Sequence, residues 1–180
     1  MSAAAPLRAL HAVGPAAASS VCEDVAAVPD GLQVAWVAPL GRRVGASASL
    51  EVVRVGDLRT RAREVADPVR VLQVLGLLGR RPSEGQRERQ WQVVVFDVQA
   101  DWLCRPVEDA APGTDLGGVA VCTEDELGPA RGHRKGWTGC GYSLDTGAST
   151  RGLEVFRVDW QTASTNGFCL MPLRRFLDGA

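Results

Sequence analysis

The chain has 180 residues, of which 46% are hydrophobic and 23% charged, and its formal net charge is −1. A chain of this length can bury a core without a metal or a disulfide, and its average composition excludes a disordered, collagen-like or strongly basic protein. Nineteen arginines against one lysine indicate a GC-rich coding bias, so the arginine content does not predict a nucleic-acid partner.

The first thirty residues are rich in alanine and interrupted by three prolines, which predicts a loosely held arm that could order on a neighbouring protein. We expect a single domain over residues 31–180. From Leu32 the run LQVAWVA is typical of a strand, and a second strand over Leu50–Val55 could pair with it as a hairpin with a long connection.

The next segment predicts the main helix, over about residues 68–79. Asp67 can cap it and Pro68 suits its first position, while Val71, Leu72 and Leu75 would form part of its buried stripe. The run WQVVVFDV that follows from Trp91 is apolar on both faces, which predicts a central strand.

The second half of the chain is mostly strand by its pattern. Gly118–Cys122 predicts a short strand and residues 123–126 an acidic helix start or turn, while Leu153–Trp160 and Gly167–Met171 predict a closing hairpin. The fold class is therefore α+β, with a largely antiparallel sheet of about five to six strands and one main helix.

Five cysteines occur without a CxxC spacing, so neither a disulfide framework nor a zinc site is indicated and a reducing, cytoplasmic location is expected. Cys169 is predicted to lie in the core. No apolar run is long enough for a membrane span, and no phosphate-binding loop is present, so we expect no membrane association, no cofactor and no metal.

The sharpest local motif is Asp145-Thr146-Gly147-Ala148-Ser149. It resembles the active-site turn of retropepsin-like aspartic peptidases. The resemblance covers five residues and implies that Asp145 is a catalytic acid–base, that Thr146 braces two such turns, that Gly147 lets them approach, and that the active form is a homodimer. The alternative interpretation is a turn in which Asp145 accepts hydrogen bonds from nearby backbone amides and Gly147 has a positive φ.

A second hydrolase hypothesis places a thiol nucleophile at Cys140, between two glycines, with His133 and neighbouring cations lowering its pKa. Trp102 and Trp137 have polar or glycine neighbours, and Arg105 and Arg134 lie near them in sequence. Exposed tryptophan beside arginine is typical of protein interfaces, so these four residues are the candidate contact residues.

No complete catalytic constellation is present in the sequence, and basic and acidic residues are segregated along the chain. The leading hypothesis is therefore a non-enzymatic structural or adaptor subunit that acts through contacts with a protein partner or within a homo-oligomer. The alternative is a hydrolase that uses Asp145 or Cys140.

Overall fold

The computed structural model describes residues 29–108, 110–127 and 137–179. The strands are β1 Leu32–Pro39, β2 Ser49–Arg54, β3 Trp91–Val98, β4 Cys104–Arg105, β5 Ala120–Val121, β6 Tyr142–Asp145, β7 Thr150–Glu154, β8 Phe156–Asp159 and β9 Phe168–Pro172. The helices are α1 Val55–Val65, α2 Pro68–Val74, α3 Glu84–Glu88, α4 Glu124–Leu127, α5 Trp160–Ala163 and α6 Leu173–Asp178, with a 3₁₀ turn at Ala100–Trp102. The predicted arm lies almost entirely outside the described residues.

The α+β class is confirmed, and the sheet is larger than predicted. Seven strands are arranged in the order β5-β4-β8-β2-β1-β3-β9, while β6 and β7 form a separate two-stranded sheet. Strands β4 and β5 are parallel and the other neighbours in the large sheet are antiparallel, so that sheet is mixed.

The centre of the sheet agrees with the sequence pattern. Strands β1 and β2 form the expected hairpin, with Val34 opposite Arg54. Strand β3 lies between β1 and β9, where Val93, Val94 and Phe96 are buried. Its two apolar faces therefore match a central position, covered on both sides.

The predicted closing hairpin is wrong. Strand β8 pairs with β2 and β4, whereas β9 pairs with β3 on the other side of the sheet. Between them the Asp159 carboxylate accepts hydrogen bonds from the Gln161 and Thr162 amides and so caps α5. A helix and a crossover therefore replace a direct turn.

The prediction of one main helix over residues 68–79 is also wrong. Asp67 does cap α2, since its side chain accepts a hydrogen bond from the Val69 amide, but the helix ends at Val74 and Gly76 takes a φ of 69°. Among the described residues the longest helix is α1, which sequence reasoning missed. It buries Val55, Leu58 and Ala62.

Two apolar clusters cover the two faces of the sheet. Helices α1, α2 and α6 pack on one face through residues such as Leu58, Val71 and Phe176. The other face buries Phe96 and Phe156, and partly buried Trp102 and Trp160 pack against it. Within the described ranges, no helix is long and apolar enough to cross a membrane.

Candidate functional site

The outermost strand, β9, exposes an apolar surface that the sequence analysis did not single out. Phe168 is 51% exposed and Leu170 is 52% exposed. Both lie on the same side of β9, opposite Phe96 and Val94 of β3 in the strand register. We call Phe168, Cys169 and Leu170 the β9 edge.

Aromatic contacts hold one end of the β9 edge in place. The Phe168 ring lies 5.3 Å from the ring of Trp160, which in turn makes an edge-on contact with Phe96 at 5.7 Å. Cys169 is exposed, so the prediction that it belongs to the core is wrong. The run FCLM has a core-like composition, but its position at the end of the sheet leaves it uncovered.

The turn at Asp145 is anchored to α2. Arg70 donates from its two terminal nitrogens to the two Asp145 carboxylate oxygens at 2.5 Å each, and the Gly147 and Ala148 amides donate to Asp145 Oδ1. The Thr146 amide donates to the Gln73 carbonyl oxygen at 3.1 Å. The turn thus supplies a hydrogen-bond donor to a backbone carbonyl oxygen in the last turn of α2.

These contacts determine the charge state of Asp145. The hydrogen bonds from Arg70 hold the pKa of this carboxyl below its ordinary value, and burial opposes that effect less strongly. A peptidase dyad instead requires a carboxylate partner that shares a proton. Asp145 is therefore a structural anchor that is ionised above its lowered pKa. The homodimeric peptidase alternative stays a prediction.

The geometry of the turn differs from the sequence-based interpretation in one respect. Gly147 does not adopt a positive φ, whereas Ser149 does, with a φ of 58°. A Cβ at position 147 would lie 2.7 Å from Arg70 Nη1 and 2.9 Å from Gln73 Oε1. Glycine leaves room there for the ends of two α2 side chains, which a Cβ would displace.

Cys140 is half-buried and packs against the small cluster that contains Val107. The glycines beside it, Gly139 and Gly141, both have positive φ and shape the backbone around it. His133, its predicted base, lies outside the described residues. The thiol-enzyme alternative therefore stays a prediction.

The structure describes three of the four candidate contact residues. Arg105 has only 1% of its surface exposed, so it cannot contact a partner without unfolding, and Arg134 lies outside the described residues. Trp137 is half-buried against the pair Cys104 and Cys122. Trp102 lines a groove of about 470 Å³ that Cys104 also lines.

Arg105 belongs to a buried polar network centred on Glu154. The Glu154 carboxylate accepts hydrogen bonds from Arg54, from Arg105 at 3.3 Å and from the Tyr142 hydroxyl at 3.2 Å. Arg105 also donates to the Leu116 carbonyl oxygen at 2.7 Å. Burial lowers the pKa of Arg105, while the nearby Glu154 carboxylate opposes this effect and balances the guanidinium charge. The hydrogen bonds of the network join β2, β4, β6 and β7.

Cys104 and Cys122 form a disulfide, which contradicts the prediction from cysteine spacing. The parallel pairing of β4 with β5 brings these two distant positions together. Disulfides persist mainly in oxidising environments, so the sequence argument for a reducing compartment fails. The Glu126 carboxylate lies near both sulfurs, but sulfurs bonded to each other are not thiolate ligands for a metal.

No protein-family model, curated protein or solved structure matches this chain.

Proposed function

We propose that this chain is a non-enzymatic assembly subunit that pairs with a second copy of itself along the β9 edge. One observation carries the proposal: Phe168 and Leu170 are each about half exposed on the outermost strand of the large sheet. Large apolar side chains left uncovered in this way are typical of interaction surfaces.

The composition of β9 supports pairing by strand addition. Its five residues, FCLMP, include no charge. Natural proteins usually protect an outer strand with charged side chains, a bulge or a covering segment, because its unpaired backbone groups can bind another strand. The opposite outer strand, β5, has only two residues, so β9 offers the longer edge.

A second copy is the partner that this edge fits directly. Two β9 strands related by a two-fold axis would run antiparallel, and an axis at Cys169 would place Phe168 of one copy opposite Leu170 of the other. Such an interface uses the same surface on both subunits and closes as a dimer. The aromatic contacts of Phe168 with Trp160 hold the edge in one conformation before binding.

Size-exclusion chromatography with light scattering tests the proposal over a range of protein concentrations. The wild-type chain should shift from monomer to dimer as concentration rises. Leu170→Lys should remain a monomer, because each lysine would place a charge against Phe168 of the other copy. Leu77→Lys is the matched control, since Leu77 is 39% exposed away from β9. A wild-type monomer at every concentration, or a Leu170→Lys dimer, would overturn the proposal.

Cys169 supplies an independent readout of the register. Under a mild thiol oxidant, the wild-type dimer should form a disulfide between its two Cys169 side chains, while Cys169→Ser should not cross-link. Cross-linking that persists in Leu170→Lys at equal concentration would indicate random collision and contradict specific pairing.

A further inference from the structure

A groove of about 540 Å³ lies at the sheet end where β1 and β3 meet the starts of α2 and α6. Its apolar lining includes Leu40, Val69, Leu72, Trp91 and Leu173. Leu40 is 52% exposed there, although it is a large apolar side chain. The volume falls in the range of about 300–1,000 Å³ that is usual for small-molecule sites.

The rim of the groove is basic. Arg87, Arg89 and Arg174 line it together with a single acid, Glu88. Arg87 is oriented by a hydrogen bond from its Nε to the Pro82 carbonyl oxygen at 3.2 Å. Arg89 and Arg174 are exposed, and neither forms a salt bridge with a described residue. Their donors are therefore available to an anion.

One residue of the groove lining carries a buried polar group for which the described residues supply no partner. Trp91 lines it, and the indole Nε1 of Trp91 is buried without a hydrogen-bond acceptor among the described residues. A buried donor of this kind is uncommon and usually calls for an explanation.

We propose that this groove binds a small amphiphilic carboxylate, with its hydrocarbon chain against Leu40, Leu72 and Leu173 and its carboxylate between Arg89 and Arg174. The charge of the rim favours an anionic head, because guanidinium groups bind carboxylates through two parallel hydrogen bonds. The apolar lining favours a medium-length hydrocarbon tail. The proposal is independent of pairing through β9.

Isothermal titration of the full chain with octanoate tests this directly, with 1-octanol and acetate as the two partial ligands. Octanoate should bind saturably at one site per chain, and both partial ligands should bind at least about tenfold more weakly, since each lacks one half of the interaction. Equal binding of 1-octanol would show an apolar cavity without a head-group site and would overturn the proposal. Equal binding of acetate would overturn it as well.

Two groove variants locate the site. Arg89→Glu with Arg174→Glu should weaken octanoate binding at least about tenfold, while the matched control Arg80→Glu, on an exposed arginine outside the groove, should leave it unchanged. Leu40→Asp should also weaken it, because the new carboxylate faces the ligand chain.

Failure of octanoate to bind, or binding unchanged in both groove variants, would overturn the proposal. Binding of an acidic apolar peptide in place of octanoate would assign the groove to a protein partner and would overturn it equally.

Discussion

Arg70 and Asp145 form a two-point ion pair that joins α2 to the turn between β6 and β7. Each carboxylate oxygen of Asp145 lies 2.5 Å from a terminal nitrogen of Arg70. The motif resembles a peptidase turn in sequence, and in the structure this ion pair fixes it to α2. The same aspartate that the resemblance would assign to catalysis stabilises the packing of a helix on a hairpin.

We expect Asp145→Asn to destabilise the fold by about 2 kcal/mol, the usual loss when a hydrogen bond to a charged group is removed. The amide retains an acceptor for the Gly147 and Ala148 amides, so the loss isolates the ion pair with Arg70. Urea unfolding gives the measurement. Asp178→Asn, at an exposed position, is the control, and equal stability of the two variants would contradict the assignment.

Stability should fall in acid partly because of this aspartate. The pKa of Asp145 is lower in the folded chain than the ordinary value of about 3.9, so its stabilising contribution is present above that value and is lost as the pH falls through the lowered pKa. Urea unfolding across the acidic range should therefore show a shallower pH dependence in Asp145→Asn than in the wild type. Arg70→Gln should give the same shallow profile, and a wild-type slope in either variant would argue against the ion pair.

The disulfide between Cys104 and Cys122 should contribute about 3 kcal/mol by restricting the unfolded chain, given the 18 residues that separate them. Replacing both with alanine should lower Tm by about 6–12 °C in a thermal melt. Cys169→Ala is the control and should melt with the wild type. A reducing agent should lower the wild-type Tm to that of the double variant. Equal Tm values for the double variant and the oxidised wild type would show that the disulfide is not formed.

Tyr142 offers a direct spectroscopic check, since the chain contains one tyrosine. Burial and then the nearby Glu154 carboxylate raise the pKa of Tyr142 to about 12. The stability that this neutral phenol contributes is complete below the ordinary pKa of about 10 and is lost as the pH rises through the folded value. Ultraviolet titration should show phenolate appearing near pH 12 in the folded chain and near 10 in urea, with no such transition in Tyr142→Phe. A folded-chain midpoint near 10 would contradict the buried position.

Gly152 should be among the glycines least tolerant of substitution. A Cβ at this position would overlap the backbone carbonyl oxygen of Val74 and Ser143 Oγ, and a backbone atom cannot easily move aside. We expect Gly152→Ala to cost about 3 kcal/mol, the upper range for overpacking. Gly147→Ala is the matched comparison and should cost less, because the atoms it meets are the ends of flexible side chains. Chemical denaturation of both variants ranks them, and a reversed order would be inconsistent with this packing.

Local sequence patterns predicted the central buried strands and the start of α2, because a short run of residues is enough to specify each of them. Val34 in β1, and Val94 and Phe96 in β3, belong to apolar runs that are typical of buried strands. Asp67 with Pro68 specifies where α2 begins. The stripe of Val55, Leu58 and Ala62 had helical spacing too, but the strand pattern that runs into Val55 obscured it.

The features that sequence reasoning missed depend on which strands become neighbours. Cys104 meets Cys122 only because β4 and β5 are parallel partners, and no spacing rule encodes that pairing. Cys169 is predicted to lie in the core and is exposed because β9 is the last strand in the sheet order. The exposed edge could therefore not be found before the topology was known.

The sheet order also has a consequence for biosynthesis. Strands β2, β1 and β3 are complete once residue 98 has emerged from the ribosome, but the strands that flank these three, β8 and β9, begin only at residues 156 and 168. Until then both edges of the nascent three-stranded sheet lack their neighbouring strands. Ribosome-bound chains paused before Phe156 are thus the species that a chaperone would most need to shield.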